Sequence, residues 1–126
     1  MGIRVLLADD HALFRNALHM TLALEPDIDV VAEAGDGTAV MQIVARTPVD
    51  VVCMDIRMAG QDGLETTRQL HRQFPGVRVI GLSACDDPAV AASILSAGAS
   101  SYVLKMNVGR KLSTLIRQVH RDEILG

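Results

Sequence analysis

Apolar residues recur along this chain with two alternating periods. Ile3 to Ala8 is apolar except at Arg4, and Val49 to Met54 is apolar except at Asp50. Both runs are short and rich in β-branched residues, the signature of strands covered on both faces. Ile28 to Ala32, Val77 to Leu82 and Ser100 to Leu104 complete a set of five. Between these runs the spacing turns helical: Phe14, Ala17, Leu18 and Thr21 share a face, as do Val40, Ile43 and Val44. Leu64, Thr67, Leu70 and Phe74 mark a third helix, Val90, Ile94 and Ala97 a fourth, and Leu112, Leu115, Ile116 and Val119 a fifth. Asp87-Pro88 places a side-chain acceptor before a proline at the first helical position, and Asn107 can cap the last helix. Gly35-Asp36-Gly37, Gly60 to Gly63, Pro75-Gly76 and Gly98 supply the breaks. The resulting βαβαβαβαβα pattern predicts one α/β domain over residues 1–126, a parallel sheet with five helices on its two faces. Strand periodicity alone leaves the strand order open.

Composition narrows the function classes. A chain of 126 residues buries roughly two-thirds of the surface its unfolded form exposes and needs no disulfide staple. A net charge of -3 argues against a nucleic-acid surface on this segment, so DNA contact would come through another domain. Cys53 and Cys85 lack metal-type spacing and suit free thiols in a reducing compartment. No apolar stretch approaches the ~20 residues of a membrane span, and Asp9 and Asp10 interrupt any signal-peptide core. These features predict a cytoplasmic protein without membrane contact.

The chemistry gathers where the apolar runs end. Their carboxyl ends read Asp9-Asp10, Glu33-Ala34-Gly35, Asp55, Ser83 and Lys105, so four of the five carry a group able to handle phosphate or metal. A flavodoxin-like strand order, 2-1-3-4-5, would set those four side by side and leave the second strand at an edge. Three carboxylates so close repel unless a cation lies among them. Mg²⁺ takes oxygen ligands of this kind, and a carboxylate can also attack phosphorus to form an aspartyl-phosphate. Each residue has a plainer role open to it: Asp9 or Asp10 as a helix cap, Asp55 heading a turn, Ser83 in a hydroxyl-backbone turn, Lys105 in solvent. A pocket accounts for all of them at once.

Three segments carry a family resemblance: Val5-Leu6-Leu7-Ala8-Asp9-Asp10-His11, Val52-Cys53-Met54-Asp55-Ile56-Arg57-Met58, and Ala97-Gly98-Ala99-Ser100-Ser101-Tyr102-Val103-Leu104-Lys105. In this order they resemble the receiver domain of two-component response regulators, most closely the NarL/FixJ type, across essentially the whole chain. The resemblance implies a phosphorylation-dependent signalling switch rather than an enzyme with an external substrate. It implies that Asp55 accepts a phosphoryl group from a histidine kinase, that Asp10 binds Mg²⁺ directly and Asp9 through water, and that Asp55 and the Arg57 backbone carbonyl complete the metal site. Ser83 and Lys105 would engage the phosphoryl oxygens, and Tyr102 would swing inward as the switch turns. The same resemblance implies a helix-turn-helix output domain that binds DNA. The chain stops soon after the fifth helix, as an isolated receiver or a truncated chain, and the closeness of the wording favours truncation.

The sequence also departs from the family. Ala59 stands where proline is usual, Met106 follows Lys105 where many receivers carry proline, and Ser83 replaces the commoner threonine. A non-proline cis bond costs about 2.5 to 4 kcal/mol, so Lys105-Met106 is expected to be trans. Rival readings are weaker. A phosphatase of the Asp-x-Asp kind would need a second acid where Arg57 stands. A receiver used only for binding would have no need of the intact acid set. A nucleotide-binding loop would follow the first strand, whereas Gly35-Asp36-Gly37 follows the second. The four histidines are scattered, with His11 in the first turn of the first helix. Arg110, Lys111, Arg117 and Arg121 form a charged face on the last helix, expected to be solvated or to serve as a homodimer or output-domain surface.

Overall fold

In a computed structural model that describes residues 2–58 and 63–125, strands and helices alternate along the described residues. The order is β1 (Ile3–Ala8), α1 (Ala12–Ala23), β2 (Ile28–Ala34), α2 (Gly37–Arg46), β3 (Val51–Asp55), α3 (Gly63–Gln73), β4 (Arg78–Ser83), α4 (Pro88–Ser96), β5 (Ser101–Leu104) and α5 (Val108–Leu125). A 3-10 turn over Lys105–Asn107 leads straight into α5. All pairings are parallel and the sheet runs β2-β1-β3-β4-β5, as the flavodoxin-like reading requires. The chain reverses its direction of travel across the sheet at β1 and β3, so their carboxyl ends flank the crevice where ligands bind in such folds.

Alternation along the strands divides the core in two. Val5, Leu7, Val51, Cys53, Ile80 and Val103 pack on one face against Leu18 and Leu22 of α1 and Leu112 and Ile116 of α5. Leu6, Val52, Met54 and Val79 pack on the other against Val40 and Val44 of α2, Leu70 of α3 and Ile94 of α4. Burial in the first of these layers pushes the Cys53 thiol up to about 12, leaving it unreactive. The edge strand β2 slips register between Val5 and Leu6, an irregularity that leaves Val31 39% exposed. Asp36 caps α2 by accepting the Ala39 N–H, and Asp87 caps α4 by accepting the Ala89 N–H ahead of Pro88. Gly98 has φ 111, a left-handed conformation that favours glycine, and a Cβ there would lie 2.6 Å from the His71 ring.

Two expectations need correction. The buried positions of α1 are Leu18 and Leu22, with Phe14 half-buried. Ala17 and Thr21 face out, and the Thr21 hydroxyl turns back to donate to the Ala17 carbonyl at 2.9 Å. The apolar spacing is four residues here, and the three-residue steps drew the face too wide. Arg117 is partly exposed on α5 but is not a lone charge, because its guanidinium pairs with Glu25 and with Asp27 at 2.8 and 2.9 Å and pins the α1–β2 turn. Residues 59–62, which include the Ala59 departure and most of the expected glycine break, lie outside the described residues, as does the Arg110 side chain.

At the opposite end of the sheet from the crevice, Asp50 ties three strands together. Its carboxylate accepts the Arg4 backbone N–H at 2.8 Å, Nε at 3.0 Å and Nη2 at 2.8 Å. Its own N–H donates to the Arg4 carbonyl, and its carbonyl accepts the Arg78 N–H. The Arg4 guanidinium, more than the opposing cost of burial, holds the Asp50 carboxyl below the ordinary carboxylate range. A carboxyl with a depressed folded pKa stabilises fully above its unfolded pKa and loses that contribution as pH falls through the folded value. Asp50→Asn is therefore expected to lower the urea midpoint at pH 7 and to converge on the parent below pH ~3, as urea titrations at stepped pH would show.

Candidate functional site

The strands deliver five side chains to one end of the sheet. β1 ends at Ala8 and hands Asp9 and Asp10 to the crevice, β3 ends on Asp55 itself, β4 ends on Ser83, and Lys105 follows β5. The parallel register places Ala8 beside Met54 and Asp55 beside Leu82, which brings the β1, β3 and β4 ends level. Asp9 and Asp55 are buried, at 1% and 3% exposure, while Asp10 stands at the rim.

Asp9 is held from every side. Its N–H donates to the Ala34 carbonyl at 3.0 Å, and its carbonyl accepts Arg15 Nη1. Oδ1 accepts the His11 N–H at 2.8 Å, and Oδ2 faces Lys105 Nζ at 2.9 Å. Asp55 Oδ1 accepts the Arg57 N–H at 3.1 Å, and its Oδ2 lies 3.3 Å from the same ammonium. Lys105 Nζ is also 4.8 Å from the centre of the Phe14 ring, a cation–π contact that backs the lysine from α1. The described peptides include no cis bond, so Lys105-Met106 is trans as expected and the lysine still reaches both acids.

Backbone packing behind Asp55 leaves no room to spare. The Gly63 N–H donates to the Ile56 carbonyl at 3.0 Å, and a Cβ on Gly63 would come within 2.1 Å of the Asp55 carbonyl oxygen. Glycine at the start of α3 is thus a steric requirement of the acid's position.

Burial pushes the Asp55 carboxyl above the ordinary range and the Asp9 charge adds to that, against a smaller pull from the Arg57 N–H and from Lys105. Burial works against the Lys105 ammonium as well. Its close pairing with Asp9 and the charges of Asp55 and Asp9 outweigh it, raising the lysine above its usual value. Asp9 Oδ2 and Asp55 Oδ2 remain buried with the ion pair but without a well-directed hydrogen bond. Ligand atoms of Asp9, Asp10, His11 and Asp55 lie within 4.8 Å of one another. Inward-facing carboxylate oxygens dominate this set, so the acids fit a hard divalent cation.

Ser83 and Tyr102 stand differently. Ser83 lines a cavity of roughly 750 Å³ with Asp55, Arg57 and Lys105, but its hydroxyl bonds locally, donating to the Cys85 carbonyl and accepting the Cys85 N–H. Tyr102 is 38% exposed and lines a separate pocket with Asp86, Asn107 and Lys111. His11, Phe14, Arg15 and Gly63 were missed as site residues. Their periodicity or turn chemistry accounted for them locally, and only the closeness of α1 and α3 to the strand ends reveals their contacts.

A buried acid pair, a lysine between them and a hydroxyl at the next strand end, all on a 2-1-3-4-5 sheet, are the arrangement of a receiver domain. The chain belongs to the response regulator receiver domain family, which it matches over residues 5–117. It is 41% identical over 103 residues to the transcriptional regulatory protein DegU of Brevibacillus brevis, covering 82% of this chain and 44% of that one. It is 36% identical over 102 residues to the nitrate/nitrite response regulator protein NarP of Escherichia coli K12, covering 81% and 47%. The signal receiver domain of the putative response regulator NarL from Mycobacterium tuberculosis superposes with a TM-score of 0.88 at 33% identity, covering 95% of this chain and 97% of that one. The chain spans about half the length of the curated relatives it matches.

The raised Asp55 carboxyl has a stability consequence of opposite sign to that of Asp50. An acid whose folded pKa exceeds its unfolded one favours folding below the unfolded value and loses that contribution as pH rises through the folded value, so ionised Asp55 is a net cost at pH 7. Asp55→Asn, measured in EDTA by thermal unfolding at pH 7, is expected to raise Tm by about 2 to 5 °C.

Proposed function

We propose that Asp55 accepts a phosphoryl group from the phosphohistidine of a sensor kinase and that the domain thereby switches an attached output. The observation that carries this reading is the pair of buried, inward-facing oxygens, Asp9 Oδ2 and Asp55 Oδ2, held on either side of Lys105 Nζ. A carboxylate so placed is desolvated on the side from which phosphorus would approach, and the ammonium stands ready for charge on the phosphoryl oxygens. As the Asp55 oxygen forms its bond to phosphorus, the P–N bond to the donor imidazole breaks and its electron pair returns to nitrogen. Water attack on the aspartyl-phosphate later restores the carboxylate and releases inorganic phosphate.

Asp10, Asp55 and the Arg57 backbone carbonyl would hold Mg²⁺, with Asp9 contributing through water. When bound, the ion would offset the acids' mutual repulsion and the phosphoryl charge. The Ser83 hydroxyl would leave Cys85, at a cost of about 0.5 to 1.5 kcal/mol, and donate to the phosphoryl group. Tyr102 would then turn inward from its exposed position. The relatives' names as transcriptional regulators support an output domain of helix-turn-helix type, through which alone DNA would be bound. We place the switch in the cytoplasm, which suits the free Cys53 and Cys85. No described helix is long and apolar enough to cross a membrane.

Incubation with Mg²⁺ and acetyl phosphate, read by intact mass, is expected to add one phosphoryl group to the parent and none to Asp55→Asn. An unmodified parent rejects the assignment. The chain has one tyrosine and no tryptophan, so its intrinsic fluorescence reports Tyr102 alone. Acrylamide quenching of that fluorescence is expected to fall on phosphorylation, and equal quenching in both states rejects the inward turn.

A further inference from the structure

Next to the acid pair runs a second polar network, formed by residues that do not line the cavity. Arg15, on the first turn of α1, donates from Nη1 to the Asp9 carbonyl at 2.6 Å and from Nε to Glu33 Oε1 at 2.7 Å. The other Glu33 oxygen meets His19 Nδ1 at 2.6 Å, one helical turn further along α1. Glu33 sits near the end of β2, next to Ala34, whose carbonyl accepts the Asp9 N–H. The Asp9 peptide is therefore clamped at both polar groups, at one by the β2 backbone and at the other by a guanidinium that β2 itself holds through Glu33.

This geometry points to Arg15 as a positioning residue for the acid pair: its fork fixes the Asp9-Asp10 peptide at the distance from Asp55 that a divalent cation needs. The inference rests on the reading of Asp9 and Asp10 as the metal-binding acids. Two physical effects compete, and they have opposite signs. As a bare positive charge near the acids, Arg15 would weaken cation binding. As a clamp it would strengthen it, because an acid free to swing away loses the preorganised site. The Glu33 carboxylate neutralises the guanidinium at 2.7 Å, which leaves the pair little net field at the metal position and lets the clamp dominate. A lysine could not replace it, since only the planar fork reaches two acceptors on different strands in one orientation.

The two effects separate in Arg15→Met and in the double variant Arg15→Met/Glu33→Gln. The first removes a positive charge and keeps the methylene stem; the second removes the clamp with no change in net charge. Mg²⁺ affinity is read by isothermal titration calorimetry, and Tm is read separately in EDTA. Both variants are expected to bind Mg²⁺ about tenfold more weakly than the parent, and phosphoryl uptake from acetyl phosphate is expected to recover at saturating Mg²⁺. Unchanged or tighter Mg²⁺ binding in either folded variant overturns the inference, whether or not Tm falls. A defect in uptake that saturating Mg²⁺ leaves in place overturns it too. Should Arg15→Met not fold, Arg15→Lys takes its place with the same tenfold expectation. If the parent, with Arg15 intact, bound no Mg²⁺, or Asp10→Asn bound it as well as the parent, the metal-site reading itself would fail instead.

Discussion

Two buried carboxylates facing one ammonium set the terms on which this domain is built. Asp9 and Asp55 come together because β1 and β3 are neighbours in a parallel sheet, and neither can retreat into solvent. Like charges at such separations repel by about 4 kcal/mol at an effective dielectric of 20, and desolvation adds to the cost. Lys105 relieves part of it, at 2.9 Å from one acid and 3.3 Å from the other. What remains is visible in the raised Asp55 carboxyl. In the proposed function the same tension would favour a cation and a phosphoryl group, both of which would offer partners to oxygens that the fold leaves without a directed hydrogen bond.

The scaffold holds this arrangement with rigid parts. Apolar layers on both faces of the sheet fix the strand ends, and the near-contact of Gly63 with the Asp55 carbonyl seats the start of α3 against the end of β3. Phe14 backs the lysine while Arg15 and Ala34 grip the Asp9 peptide, so α1 and β2 act as a brace for a site to which they give no acid. Asp50 performs the matching service at the far end, joining β1, β3 and β4.

In the proposed switch, Ser83 and Tyr102 are the side chains that would move. The serine hydroxyl is satisfied by two hydrogen bonds with Cys85, so moving it would give up a local turn for a bond to the phosphoryl group. Tyr102 lies half in solvent on the neighbouring face, joined to Ser83 through the β4–β5 pairing, in which Ser83 sits opposite Leu104. A small free-energy gap between two such states is what a phosphoryl charge can tip.

Much of the fold and half of the site could be read in the linear chain. Apolar runs of strand length alternating with helical spacing dictate a parallel α/β sheet, since each strand must be covered twice. Charges that close such runs lie at strand ends, which is why Asp9, Asp10, Asp55 and Lys105 were legible. Legibility failed where a residue satisfied a local rule and a distant one together. Phe14 passes as a core position and Gly63 as a helix breaker, Arg15 carries no local signal, and Arg117 passes as an unpaired arginine until Glu25 and Asp27 are brought beneath it. Sequence by itself determined which side chains reach the carboxyl ends of the strands, because burial period and strand length are local properties. Tertiary structure alone decided that Lys105 stands between Asp9 and Asp55 and that Arg15 grips the peptide behind them. Those distances depend on strand order and helix packing, which bring together residues far apart in the chain.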